Sequence, residues 1–508
     1  MQFECQAFLR WGSTCIILRR GNQLHRELEN REPKRENAAG ISELSGLPLR
    51  YYRSPVIRER MFEFLGGAGL PTATAVYVAG NDGFSDFSEP VRPECLPAYL
   101  RAGFEVDRSL WDRDSLIADV DLEYHNFDSP AAAWLDPQRA FQAQQPVLEA
   151  TWQILGRTGI IPLTLVSGRG FHLLWAIRSG SAVFRRLAAL GYVTAGLEAR
   201  YAQPCEPAGL GVEPEMGRAF AGLGLLMEFV GHRAMIAAAP LTTLPVQPAA
   251  IEVGPGIHGR EIISLDLSEY GDPLHTRQIR IPFSAYLKPR RFQWSLGEPT
   301  VRSLLPILEI PLGGMTLPEA IAVARNPDAA IELARRVSTA IPDASGAMEN
   351  LLDEYQSSAL AAFHERFHSE LRKRTSAPAD DDAMPIPEEP GCLRWLFEHP
   401  NDWLLKPAAL QHIVRVLTAL DWSPVSICQV IGAAYSREGD WGNVWNRLDP
   451  GARAMFYTRL FTGMIAMGTD TLIDFNCVSH REKGYCMAPE CPSNLAEYRD
   501  MLLERKNR

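Results

Sequence analysis

The run SLIADVDLEYHN, residues 115–126, decides how the chain is read. Leu116–Asp121 has the apolar character of a strand bounded by polar residues. Residues two apart on a strand face the same side, so Asp119 and Asp121 point together at one place. Two carboxylates held that close repel each other, and a divalent cation is the usual remedy. Oxygen ligands of this kind suit Mg²⁺ or Mn²⁺. Glu123 is a third acid on that face; placed near the expected strand end, it is the weaker substitute for Asp119. A lone Asp-x-Asp is more often an exposed strand or turn pair, so the surrounding sequence has to carry the reading.

Working outward, short apolar runs alternate with helical stretches between Ser115 and about Phe292. Ile161–Val166 and His172–Ile177 read as strands, Ala140–Leu155 and Phe220–Ala234 as helices. Upstream, Val56–Leu65 reads as an amphipathic helix and Thr74–Val78 as a strand. Helices and strands mixed in this way predict an α+β or α/β catalytic domain, with α+β the class preferred for the chain. Residues 1–45 read as a polar, Arg-rich N-terminal extension and 46–310 as the catalytic domain. Residues 311–387 read as a helical segment (Leu317–Arg372) ending in the acidic, Pro-rich TSAPADDDAMPIPEEP, whose composition is that of a linker. Residues 388–508 read as an all-α, cysteine-bearing domain.

Two further segments bear on the carboxylates. LTLVSGRGFHLLW is a strand, a turn and a second strand. Gly168 and Gly170 let backbone N–H groups approach a ligand closely. Ser167, Arg169 and His172 add donors suited to phosphate oxygens. A plain β-hairpin with an incidental histidine explains the same residues. Downstream, Asp266 closes an apolar strand and is followed by Arg277, Arg280, Lys288, Arg290 and Arg291. That track predicts a local positive groove for a triphosphate or a template, although charge runs are commonly solvated loops. Pro282 and Ser284 within it suggest a shaped turn.

The chain has 508 residues, 46% hydrophobic and 22% charged, with a formal net charge of −10. That length suits two or three domains. The acidic balance argues against a protein that merely coats nucleic acid, but not against an enzyme with a local basic track. No run of about 20 uncharged apolar residues predicts a membrane span, and the N-terminus lacks a secretory pattern. The expectation is a cytoplasmic enzyme. Nine cysteines in such a compartment seldom mean disulfides. Cys477, Cys486 and Cys491 cluster in a Gly- and Pro-containing tail, and Cys392 opens the helical domain. Thiolates brought together suggest Zn²⁺ or an iron–sulfur cluster, with His480 able to replace one cysteine. Cys205 and Cys428 read as buried thiols and His232 as a packed or surface helix residue, not a ligand.

Asp-x-Asp, then Ser-Gly-Arg-Gly-x-His, then Leu-Asp followed by Arg280-x-Pro-x-Ser284-x-x-x-Lys288 occur in one order. Together they resemble the archaeo-eukaryotic primase superfamily over roughly residues 50–292. The resemblance implies a primase small-subunit-like domain of mixed sheets with an RRM-like half. It implies Asp119, Asp121 and Asp266 as ligands of two Mg²⁺ or Mn²⁺ ions, and Ser167, Arg169, Gly170, His172, Arg280, Ser284 and Lys288 as the nucleotide site. Tyr286 stands where the family often has a histidine. Residues 388–495 also resemble the C-terminal domain of the primase large subunit, which implies a [4Fe–4S] cluster on Cys392, Cys477, Cys486 and Cys491, with Zn²⁺ the alternative. Arg453, Arg459 and Trp445 are then the expected nucleic-acid contacts. The implied activity is a DNA-dependent primase-polymerase using NTPs or dNTPs on single-stranded DNA, with a replicative helicase or single-strand-binding protein as further partners. A repair or end-joining polymerase of the same superfamily, and a non-catalytic replication subunit, are the rival expectations.

Overall fold

A computed structural model describes residues 42–506 apart from 43, 49, 85–88, 205–208, 210, 254–259, 376–384, 443–444 and 488–489. Most of the expected N-terminal extension, the core of the expected linker, and Cys5, Cys15 and Cys205 lie outside the described residues. The protein is 53% helical and 13% strand, and both types share one core, so the class is α+β.

Six strands form the larger sheet: β3 (Ser115–Asn126), β4 (Leu163–Val166), β5 (Gly170–Arg178), β6 (Val246–Gln247), β7 (Glu261–Asp266) and β9 (Ile310–Pro311). Their order is β6-β7-β3-β5-β4-β9, antiparallel except for β6 on β7. β3 is twice the length read from sequence and sits in the middle. Its period of two puts Ala118, Val120 and Leu122 on the face where the helices Pro137–Thr158 and Pro214–Ala238 pack, and the acids on the other. A smaller antiparallel sheet is built from β1 (Val78–Asn81), β2 (Glu105–Ser109) and β8 (Gln278–Arg280) in the order β1-β2-β8. The strand expected over Thr74–Val78 forms one turn later. Ala75 makes only an isolated bridge to Asp112, because it is Val78–Asn81 that find the partner strand β2.

The expected helices appear at Pro55–Phe64, Pro137–Thr158 and Pro214–Ala238. The last is long and apolar enough to span a bilayer, yet 83% of its apolar window is buried inside the protein. Helices Ala347–Gln356 and Ala359–Thr375 pack against it, and the second also reaches the C-terminal helix Pro450–Ala466. The helical segment expected between the two domains is therefore wedged between the sheet-bearing half and the helical half.

Arg453 and Arg459, expected to meet nucleic acid, are buried instead. Arg459 grips Glu228 in the centre of Pro214–Ala238 through Nε at 2.9 Å and through Nη2, and His364 lies 3.0 Å from the other oxygen. Burial alone would raise the Glu228 pKa; Arg459 and His364 outweigh it and bring it down to about 2. Arg453 pairs with Asp272 at 3.1 Å. Trp445 stacks on Trp441 with ring centroids 4.4 Å apart. Both arginines serve packing, and Trp445 is half-buried. Arg459→Met would strand a buried carboxylate, which costs about 3–5 kcal/mol. The urea midpoint should fall accordingly, and a shift worth less than about 1 kcal/mol would show that His364 alone satisfies Glu228.

Candidate active site and metal centre

The register of the large sheet assembles the acids. Asp121 lies directly opposite Asp266 on β7 and directly opposite His172 on β5. Asp119 sits two residues earlier on the same face and is 2% exposed. Its backbone is clamped by Tyr270, whose hydroxyl donates to Asp119 O (2.7 Å) and accepts from Asp119 N–H (3.1 Å). Asp266 Oδ1 accepts from Ser268 N–H at 2.9 Å. Among the described residues, neither Asp119 Oδ1 nor Asp121 Oδ1 has a hydrogen-bond partner, though both are buried. Buried acceptors are almost always satisfied, so two orphaned carboxylate oxygens on one face of β3 fit a cation.

Electrostatics point the same way. Burial, Glu123, Asp119 and Asp266 hold the Asp121 carboxyl well above the usual carboxylate range, against the pull of His172. His172 Nδ1 lies 3.0 Å from Asp119 Oδ2 and 3.8 Å from Asp121 Oδ1. Burial disfavours its charge, but the two aspartates outweigh burial and raise its pKa well above the ordinary value. Without a metal, the imidazolium supplies the positive charge the acids need.

A fourth acid completes the cluster and was not read from the sequence. Glu269 follows β7 in a short 3₁₀ turn, Ser268–Gly271. Its Oε1 is buried without a hydrogen-bond partner. Burial and the charges of Asp119, Asp121 and Asp266 raise its pKa well above normal, against Arg277. A turn has no periodicity, so only the position three residues after Asp266 could have signalled it.

Glu123 faces the same side in the last third of β3. It is the anchor for the cations of the expected nucleotide site. Arg169 donates to it from Nε at 2.8 Å and also from Nη2, and Lys288 Nζ lies 3.3 Å away. Burial would raise the Glu123 pKa; Arg169 and Lys288 hold it well below normal. The Ser167–His172 turn is shaped by close packing. A Cβ on Gly168 would come 2.4 Å from the Tyr286 ring, and one on Gly170 would come 1.8 Å from Leu122 O. Ser167 Oγ accepts from Gly170 N–H at 3.1 Å and so closes the turn.

Two expected nucleotide ligands are engaged elsewhere. Arg280 donates to Glu105 (2.6 Å) and Glu309 (3.0 Å), with its guanidinium 4.6 Å from the Tyr286 ring centroid. Ser284 is fully buried, its hydroxyl 3.4 Å from Val106 O, at the turn where Phe283 adopts φ +65°. Arg277 pairs with Asp272. The basic track is thus largely neutralised: Arg280, Ser284 and Tyr286 shape the segment that presents Lys288.

The cysteines form a second centre. Cys392 opens the helix Gly391–Glu398 and Cys477 the helix Cys477–Glu482. Burial first, then Cys491, Cys486 and Cys477, push the Cys392 thiol up to about 12; among the described residues no three of the four sulfurs lie within 4.8 Å of one another. Gly391 N–H donates to Cys491 Sγ and Leu495 N–H to Cys477 Sγ, each at 3.3 Å. Beneath them, Cys392, His412 and His480 form a buried group whose ligand atoms all lie within 4.8 Å of one another, and this group could bind a metal ion. Burial keeps both imidazoles neutral, His480 down to about 3, and neutral imidazole is the ligating form. His412 escaped the sequence reading because it sits within an apolar helix pattern, where core packing is the ordinary explanation. Cys428 and His232 are buried, as read.

Fold and site define an α+β protein with a half-buried four-acid centre and, at a distance in sequence, a soft-ligand centre. No family model, curated protein or solved structure matches the chain.

Proposed function

We propose that the chain is a DNA-dependent primase-polymerase. The observation that carries this reading is the meeting of Asp119, Asp121 and Asp266 around unpartnered buried oxygens, with Arg169 and Lys288 one residue pair further along β3. Asp119, Asp121 and Asp266 would hold two Mg²⁺ or Mn²⁺ ions. Such ions, when bound, neutralise a triphosphate and acidify an attacking hydroxyl.

The chain's own residues do the rest. Arg169 and Lys288 leave Glu123 for the oxygens of an incoming triphosphate, a trade of one anion for another within hydrogen-bond reach. Backbone N–H groups of the Ser167–Gly170 turn lie beside them. Tyr270 keeps the Asp119 backbone fixed while charge moves through the site. With cations offsetting the acids that raise its pKa, Glu269 would be ionised and would take the proton lost by a primer 3′-hydroxyl. That hydroxyl attacks the α-phosphorus in line, and pyrophosphate leaves.

For the second centre we take a [4Fe–4S] cluster on Cys392, Cys477, Cys486 and Cys491, with Zn²⁺ on Cys392, His412 and His480 as the alternative. Backbone N–H donors to Cys477 and Cys491 are the kind of contact that tunes cluster sulfurs. The helical module around this centre would hold the 5′ end of a nascent primer.

An unprimed single-stranded DNA template with labelled nucleotides and Mn²⁺ tests the reading. The expected product is a ladder of short oligomers that grows with time. Extension of a supplied primer without any product from the unprimed template would favour a repair or end-joining polymerase. Silence on both substrates would leave a non-catalytic subunit.

A further inference from the structure

Beyond Lys288 the chain continues as a 3₁₀ turn, Lys288–Phe292, and a short helix, Gln293–Leu296. Trp294 in that helix is 90% exposed, more than any other large apolar side chain among the described residues. An indole is a costly group to leave in water. Beside this segment Phe84, 46% exposed, lies 4.6 Å beneath the Arg290 guanidinium.

The sequence leading to this ridge is basic, and Asp82 and Glu298 are the acids near Arg290. From Pro273 to Gly297 the sequence holds no acid, although the chain as a whole carries −10. Lys288, Arg290 and Arg291 all precede Trp294 within two helical turns. The ridge is also tied to the acidic centre. Phe292 packs on Trp134 (centroids 5.3 Å), Trp134 on Tyr286 (6.3 Å), and Tyr286 against Gly168 of the Ser167–His172 turn. Six residues of helical rise, roughly 10 Å, separate Trp294 from Lys288.

We infer that Trp294 is a stacking platform for an unpaired base of single-stranded DNA, with Arg290 and Arg291 meeting the adjoining phosphates. A flat exposed ring edged by cations is how proteins hold single strands without reading sequence. An apolar protein partner would instead want a contiguous apolar patch, whereas Gln293 and Ser295 flank the indole here. The inference deepens the polymerase reading and rests on it: the platform would set where the template strand enters relative to Lys288.

The test is equilibrium binding of fluorescein-labelled oligothymidylate to the full chain, followed by anisotropy, for wild type, Trp294→Ala and Trp294→Phe. Unprimed synthesis by the wild type is run in parallel. Trp294→Ala should weaken binding about tenfold, with the salt dependence unchanged because no cation is lost. Trp294→Phe should retain most of the affinity, since a smaller ring still stacks. In the free protein, acrylamide should quench a component of the emission that Trp294→Phe lacks. Equal affinity of wild type and Trp294→Ala would overturn the platform while leaving the polymerase reading intact. So would an indole shielded from acrylamide in the free protein, since another part of the chain would then cover it. A wild type that neither binds the oligomer nor makes product would sink both.

Discussion

Asp121→Asn is expected to abolish nucleotide incorporation while making the metal-free protein more stable. Asparagine keeps the shape of the side chain and removes one charge from the middle of the cluster, where Asp121 faces Asp266 on one side and His172 on the other. A bound cation contributes several kcal/mol of charge stabilisation. At about 1.4 kcal/mol per tenfold, its loss lowers the rate on the order of a thousandfold. Stability moves the other way. Burial, Glu123, Asp119 and Asp266 raise the Asp121 pKa in the folded state. A carboxyl with a raised folded pKa binds its proton more tightly folded than unfolded, so it favours folding at low pH. That contribution fades as pH rises from the ordinary carboxylate value through the raised one, and above the raised value the ionised group is a net cost. The metal-free wild type should therefore lose stability with rising pH in that window, and Asp121→Asn should lose less. Mn²⁺ should raise the melting temperature of the wild type through selective binding to the folded state, with little effect on the variant. Thermal unfolding with and without Mn²⁺ at several pH values reads all of this. An asparagine variant that polymerises within tenfold of the wild type, or that responds equally to Mn²⁺, would remove the carboxylates from the chemistry.

The acids that alternate along a strand were legible because a period of two is written in the sequence: Asp119, Asp121 and Glu123 had to share a face. Which strands would flank them was not legible, since the Asp121–Asp266 and Asp121–His172 registers depend on chain segments far apart. The same gap explains the misreadings. Arg280, Arg453 and Arg459 look like free cations in sequence, but their partners Glu105, Glu309, Asp272 and Glu228 lie far away along the chain; Arg459 and Glu228 are 231 residues apart. A buried pair and a phosphate-binding arginine have the same local signature. Glu269 and His412 were missed for the opposite reason, because a turn and an apolar helix each offer a bland explanation. The length of β3 was underread because its polar second half, Glu123–Asn126, pairs with β7 and gains its strand character from that neighbour.

Cys392→Ser is expected to cut de novo initiation about a hundredfold or more while extension of a supplied primer falls far less. Initiation must hold a template and two nucleotides at once, with no duplex to help. A second grip on the 5′ end of the nascent strand turns a weak bimolecular encounter into an intramolecular one, a gain of about 10²–10⁴. Extension starts from a stable primer–template and forgoes little. Cys392 is the right position to break, because it is buried at the start of its helix, within electrostatic reach of the other three thiols, and 3.4 Å from His412 Nε2. Its loss removes a ligand from either proposed metal set. The two sets then separate by analysis of the purified protein for iron, sulfide and zinc. A four-thiolate cluster predicts iron and sulfide lost from Cys392→Ser but retained in His412→Ala, whereas a Cys392, His412 and His480 site predicts zinc lost from both. Equal loss of initiation and extension in Cys392→Ser, or loss of neither, would show that the cysteine centre supports folding or another activity, not the start of a chain. Full metal content in Cys392→Ser would take that residue out of the centre altogether.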